Sequence, residues 1–212
     1  MGLLYLTRRS RFSAGARYWL DRLSSEENRH LFGRRAGVHG SGHDYEVDVT
    51  ICGRVDPVTG MVVNISELKP LLEETLLQPL TGSMLGEAHP LLTGLPPLPE
   101  VLACAFWLQL QEAMDRRGLG AALHAVKVRS DRHTAAERSE EKGLPMVTLT
   151  RTYEFAAAHR LHAAELGEQE NLELFGKCNN PMGHGHNYVL EVTVGGAQNL
   201  DTGAVIPLPE LD

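Results

Sequence analysis

Apolar and polar positions alternate along residues 45–51, with Tyr45, Val47, Val49 and Ile51 on one side and Glu46, Asp48 and Thr50 on the other. A period of two predicts a strand with one buried face. Asp56-Pro57 and Thr59-Gly60 follow as turn residues. Ser66 then stands as an N-cap for a helix that begins at Glu67 and runs towards Leu77. Pro70 falls in its first turn, where a missing N–H costs little. A Gly/Pro-rich loop spans Thr81 to Pro97, and a second helix is predicted over Pro99–Arg117 with Gly118 as its stop. Ala121 to Ser130 reads as a closing strand, and any strand after it is too weakly patterned to assign. Strands around paired helices predict an α+β fold with an antiparallel sheet. Far along the chain, Tyr188, Leu190, Val192 and Val194 alternate with Val189, Glu191 and Thr193, which predicts a strand of the same kind.

The two alternating stretches belong to a repeat. An offset of 143 pairs Phe12 with Phe155, Arg17 with Arg160, Glu27-Asn28 with Glu170-Asn171 and Leu31-Phe32-Gly33 with Leu174-Phe175-Gly176. The same offset pairs His43 with His186, Tyr45 with Tyr188, Thr59-Gly60 with Thr202-Gly203 and Glu67-Leu68 with Glu210-Leu211, and no gap is needed. This is a duplicated module. The reading assigns residues 1–138 to a first copy, the charged Gly/Pro-containing segment 139–145 (SEEKGLP) to a linker, and 146–212 to the first half of a second copy. Two strands without covering helices bury too little apolar surface to be stable alone. The expectation is therefore a fragment, or strands that dock on the first copy or on another subunit.

Charge narrows the partners. The 212 residues carry a net charge of −7 with histidines neutral. That argues against a nucleic-acid binder, which needs a basic surface to displace counterions. It leaves room for one small anionic substrate in a local basic pocket. No apolar run approaches the ~18 residues of a membrane span. The three cysteines, Cys52, Cys104 and Cys178, form no CxxC pair, and the N-terminal stretch lacks the charge-then-apolar order of a secretory signal. These features place the expected protein in the cytoplasm.

Candidate chemistry is concentrated in the second copy, in the run Phe175-Gly-Lys-Cys-Asn-Asn-Pro-Met-Gly-His-Gly-His-Asn-Tyr188. His184 and His186 are two apart at the start of a predicted strand, so both imidazoles fall on one face. His159 ends the preceding strand and reaches the same place if the two strands pair. Three neutral imidazoles leave a tetrahedral zinc one open position, the pattern of a catalytic site. Cys178 lies nearby at a different spacing. As a fourth ligand it would close the site; left free beside a dication, with Lys177 to assist, it would favour the thiolate and serve as a general base. The plainer alternative makes Gly183 and Gly185 turn residues, the histidines polar loop residues, His162 a surface residue and Cys178 a buried thiol. The first copy weighs against it. There His159 faces Ala16, His184 faces Ser41 and Cys178 faces Arg35, while only His186 keeps a partner in His43. Scaffold residues persist between the copies and the chemical residues are lost together, so the first copy is expected to hold no zinc.

These residues give the second copy its resemblance to the 6-pyruvoyl-tetrahydropterin synthase family, through FAAAHRL, QENLELFGKCNNPMGHGHNY and the Thr-Gly turn. The first copy adds VDPVTGMVVNISELK, the helix continuing to Gln78-Pro79-Leu80, and the helix around Trp107. The resemblance implies the tunnelling fold, an antiparallel sheet backed by two helices, here duplicated with an incomplete second copy, whose subunits join into homo-oligomers. It implies zinc held by His159, His184 and His186, with Cys178 as the catalytic residue. It implies a lyase that converts 7,8-dihydroneopterin triphosphate to 6-pyruvoyl-tetrahydropterin with elimination of triphosphate. Two other readings stay open: the sister 6-carboxy-tetrahydropterin synthase of queuosine biosynthesis, and a non-catalytic pterin-binding or assembly protein that keeps the zinc scaffold. The family module also carries an Asp-His pair and a pterin-anchoring Glu. In the first copy these positions hold Thr81, Gly82 and Ser130, so no complete site can be assembled from the residues present.

Overall fold

The structure, a computed structural model, describes residues 2–141 and 143–212. Six antiparallel strands hydrogen-bond in chain order, β1 (Leu4–Ala16), β2 (Ser41–Gly53), β3 (Ala122–Asp131), β4 (Thr134–Glu141), β5 (Leu144–His159) and β6 (His184–Gly195), which leaves β1 and β6 as the sheet edges. Helix α1 (Ser25–Phe32) lies between β1 and β2. Between β2 and β3 come α2 (Ile65–Leu72), a π-helical stretch over Glu73–Leu77, and the short turns α3 (Gln78–Leu80) and α4 (Leu85–Ala88). They are followed by the long α5 (Pro99–Arg117), and α6 (Glu168–Phe175) lies between β5 and β6. No helix among the described residues is long and apolar enough to cross a membrane.

The main core forms where α2 and α5 cover the inward face of β1 to β3. Leu68, Leu71 and Leu76 from α2 and the π-helical stretch, with Leu102, Phe106 and Leu110 from α5, bury against Val47, Val49, Ile51, Val126 and Val128. Helix α5 has the predicted bounds. Pro99 opens it, and Gly118 closes it in the left-handed conformation at φ 63°, ψ 35°. The α2 expectation needs correction. Asn64, not Ser66, is the cap, because its side-chain oxygen accepts the Ser66 N–H at 3.0 Å. The helix therefore starts earlier, and Pro70 stands beyond the first turn, where its ring nitrogen cannot donate to the ladder.

The expected linker segment, 139–145, lies in a hairpin. Ser139, Glu140 and Glu141 pair with Met146, Pro145 and Leu144. Gly143, at φ 78°, supplies the turn, and Lys142 lies outside the described residues. Charge and glycine suggested a linker, but an exposed hairpin accepts the same composition. Its pairing partner is what identifies β4, whose own pattern was too weak to assign.

The repeat extends to individual hydrogen bonds. Thr7 and Thr50 join their hydroxyls at 2.8 Å, and Thr150 and Thr193 do so at 2.9 Å. Phe12 stacks on Tyr45 at 5.1 Å and 13°, and Phe155 on Tyr188 at 5.2 Å and 13°. Asp56 accepts the Val58 and Thr59 N–H groups, and Asn199 accepts those of Asp201 and Thr202.

Two compact units emerge, one running to Arg151 and resuming over Thr193–Asp212, the other Thr152–Val192. In the second unit the apolar face is largely bare. Phe155 is 50% exposed where Phe12 is 4%, and Leu190 is 48% exposed where Val47 is 1%. The same pattern thus forms the same strands in both copies, while helices overlie only the first among the described residues.

Glu100, in the first turn of α5, is a buried carboxyl. Burial pushes it up to about 7, against the downward pull of the Glu100 and Val205 backbone N–H groups and of Arg35. The folded chain keeps a proton that the unfolded chain sheds near 4.5. Stability from this difference is complete below the unfolded value and is lost as pH rises through the folded one. Glu100→Gln should therefore gain on the unsubstituted chain as pH rises, by up to about 3 kcal/mol at pH ~8. Urea unfolding at acid and mildly alkaline pH measures it, and an unchanged pH slope in the variant would refute the assignment.

Candidate metal centre

The second unit builds its site from two strand ends and the helix between them. His159 is the last residue of β5, and His184 is the first of β6. Their close approach depends on Gly183, at φ 72°, where a Cβ would stand 3.0 Å from the His159 carbonyl oxygen. Gly40 plays the same part against Ala16 in the first copy, with 2.9 Å to its carbonyl oxygen. The glycine is therefore a requirement of the strand junction, independent of the chemistry carried there.

Between the strands, the fully buried Asn171 holds the loop that follows His159. Its carboxamide oxygen accepts the Ala163 N–H at 2.8 Å, and its nitrogen donates to Ala163, Leu166 and Gly167 carbonyls. Asn28 makes the matching set with Leu20, Leu23 and Ser24. Helix α6 then begins at Glu168, and the Glu170 carboxylate accepts the Gly167 N–H at 2.8 Å. The Asn role was not legible in the sequence, although its repetition at the 143 offset was the available signal.

His159, His184 and His186 converge. Their ring centroids lie 4.5, 4.7 and 4.8 Å apart, and one ring nitrogen from each lies within 4.8 Å of the others. His159 and His186 are exposed and His184 is partly buried. Burial, and then the two neighbouring imidazoles, hold the His184 pKa below the usual histidine value, which favours the neutral, ligating form. His184 Nδ1 is buried without a hydrogen-bond partner among the described residues. A buried ring nitrogen in a compact cluster of three imidazoles is what a bound ion would satisfy, so the residues fit a metal.

Cys178 lies outside this ligand group. It sits in the 3-10 turn Gly176–Asn179, partly exposed, and its carbonyl accepts the Leu161 N–H at 2.9 Å, which ties the turn to the chain just beyond His159. His162 also stays apart and meets Asn179 Oδ1 at 3.1 Å, beside the Arg160 Nε donor. In the first copy the Cys178 position is held by Arg35, whose guanidinium pairs with Asp131 at 2.5 Å and donates to Thr134 at 2.8 Å. Ser41 there contacts the His43 imidazole at 2.8 Å.

An antiparallel sheet with three imidazoles at one strand junction defines a candidate mononuclear metal centre. A sequence model described as 6-pyruvoyl tetrahydropterin synthase matches the chain twice, over residues 5–141 and 148–212. The chain therefore belongs to the 6-pyruvoyl tetrahydropterin synthase family, and it is an enzyme of that lyase type. It is 39% identical over 110 residues to the 6-pyruvoyl tetrahydrobiopterin synthase of Poecilia reticulata, covering 52% of this chain and 75% of that one. The human protein of that name is 39% identical over 109 residues, covering 51% and 75%. The solved Caenorhabditis elegans 6-pyruvoyl tetrahydropterin synthase superposes with a TM-score of 0.60 at 24% identity, over 66% of this chain and 98% of that one, and it supports the tunnelling fold.

Proposed function

We propose that the chain is a zinc-dependent carbon–oxygen lyase, with His159, His184 and His186 as the metal ligands and Cys178 as the general base. The substrate of this reading is 7,8-dihydroneopterin triphosphate, and the product is 6-pyruvoyl-tetrahydropterin. The observation that carries it is the convergence of three imidazoles at the β5–β6 junction with a cysteine close in the chain but outside the ligand group. Zinc bound there would supply Lewis acidity towards the substrate's side-chain hydroxyls. The imidazoles hold that position, and their exposed side leaves room for a substrate. Cys178, as a thiolate, removes a proton from a side-chain carbon, the C–O bond to triphosphate breaks, and the thiol returns the proton in the internal redox shift. Assembly into homo-oligomers belongs to the same reading, since β1 and β6 are sheet edges open to pairing.

Zinc-loaded chain incubated with 7,8-dihydroneopterin triphosphate should release triphosphate and yield the pyruvoyl product by mass. Absence of release overturns the reading. A carboxy product would move the chain to the sister activity.

A further inference from the structure

We propose that Tyr188 is a positioning residue of the metal centre, its hydroxyl orienting His159 so that Nε2 is the nitrogen presented to the ion. The proposal rests on the reading of the triad as a metal site. Tyr188 lies two residues beyond His186, on the same face of β6. Its hydroxyl stands 3.3 Å from His159 Nδ1, and its ring meets the His186 ring edge-on at 6.0 Å. A neutral imidazole carries one N–H and one lone pair. With the Nε2 lone pair given to a metal, Nδ1 keeps the hydrogen and donates it to the Tyr188 oxygen. That bond fixes the tautomer and the ring plane and raises the basicity of the ligating nitrogen.

Phe155 holds the tyrosine in place. It precedes His159 by four residues on the same face of β5 and stacks on the Tyr188 ring at 5.2 Å and 13°. The first copy separates scaffold from function. Phe12 and Tyr45 keep the stack at 5.1 Å and 13°, but Ala16 stands where His159 would be, and the buried Tyr45 hydroxyl has no hydrogen-bond partner among the described residues. The aromatic pair belongs to the module. The contact from its hydroxyl to an imidazole occurs where the triad is present.

The test is the zinc affinity of the full chain, read by competition with a chromophoric chelator. Tyr188→Phe keeps the stack and removes the oxygen, and it should weaken zinc binding on the order of 10–100-fold. Tyr45→Phe should leave the affinity unchanged. Cobalt(II) substitution gives a second readout, since the visible absorption of the bound ion should shift in Tyr188→Phe and not in Tyr45→Phe. If Tyr188 only packs, Tyr188→Phe leaves zinc affinity and cobalt spectrum at the wild-type values, and that result overturns the proposal. If Tyr188→Phe fails to fold, Phe155→Leu takes its place. It loosens the ring and should weaken zinc binding by a smaller factor, and wild-type affinity there overturns the proposal equally. If the unsubstituted chain binds neither zinc nor cobalt, the triad reading itself fails.

Discussion

Replacing His184 with alanine is expected to lower zinc affinity by a factor on the order of 10²–10⁴, the share of one of three ligands in a binding free energy of about 10–16 kcal/mol. His184 is the least exposed of the three, and its Nδ1 has no hydrogen-bond partner among the described residues. An exposed ligand could be replaced by water or by a swing of a neighbouring side chain; a partly buried one leaves a gap that neither fills easily. Alanine fits the first position of β6 without altering the backbone. The zinc-free variant should therefore be no less stable than the parent, because the substitution also removes a buried nitrogen that costs about 1–3 kcal/mol when unsatisfied. Metal content after gel filtration, with thermal unfolding of the metal-free chains, measures both. A variant that retains about one zinc per chain with near-parental affinity would show that His184 is not a ligand.

Cys178→Ala is expected to reduce turnover on the order of 10²–10⁴-fold, the usual worth of a general base, and to leave zinc bound. The separation of the two effects follows from geometry. The thiol lies outside the group of three ring nitrogens, on a turn fixed by the Cys178 carbonyl to Leu161. Loss of zinc in this variant would make Cys178 a fourth ligand and the site closed. Retained turnover would place the base elsewhere. Its counterpart Arg35 is locked into an ion pair with Asp131 and is a permanent cation, so the first copy offers no base at the matched position.

Much of this was legible in the chain because it is local. The bounds of α5 follow from Pro99 and Gly118, whose backbone preferences act without reference to distant residues. His184 at the start of a strand follows from the alternation through Tyr188, and His159 ends the strand before it, as expected. The offset of 143 exposes the duplication and sets Ala16, Ser41 and Arg35 against His159, His184 and Cys178, the residues proposed for the chemistry. Expectation and structure part where a neighbour decides. Asn64 outcompeted Ser66 as a cap because its side chain reaches the Ser66 N–H, a choice between two good capping residues that composition does not settle. The segment 139–145 became a hairpin because β4 and β5 pair through it, and pairing is a long-range property.

The repeated strand pattern, the family, and the placing of His159, His184, His186 and Cys178 in the second copy are all read from the chain alone. Tertiary structure decided that the three imidazoles meet, that Cys178 stands outside their group, and that Tyr188 reaches His159. It also decided that one apolar face lies under helices while its duplicate remains exposed. Alternation records which side of a strand is apolar. What covers that side, and which side chains converge at its end, depends on partners brought near only when the strands pair and the helices pack.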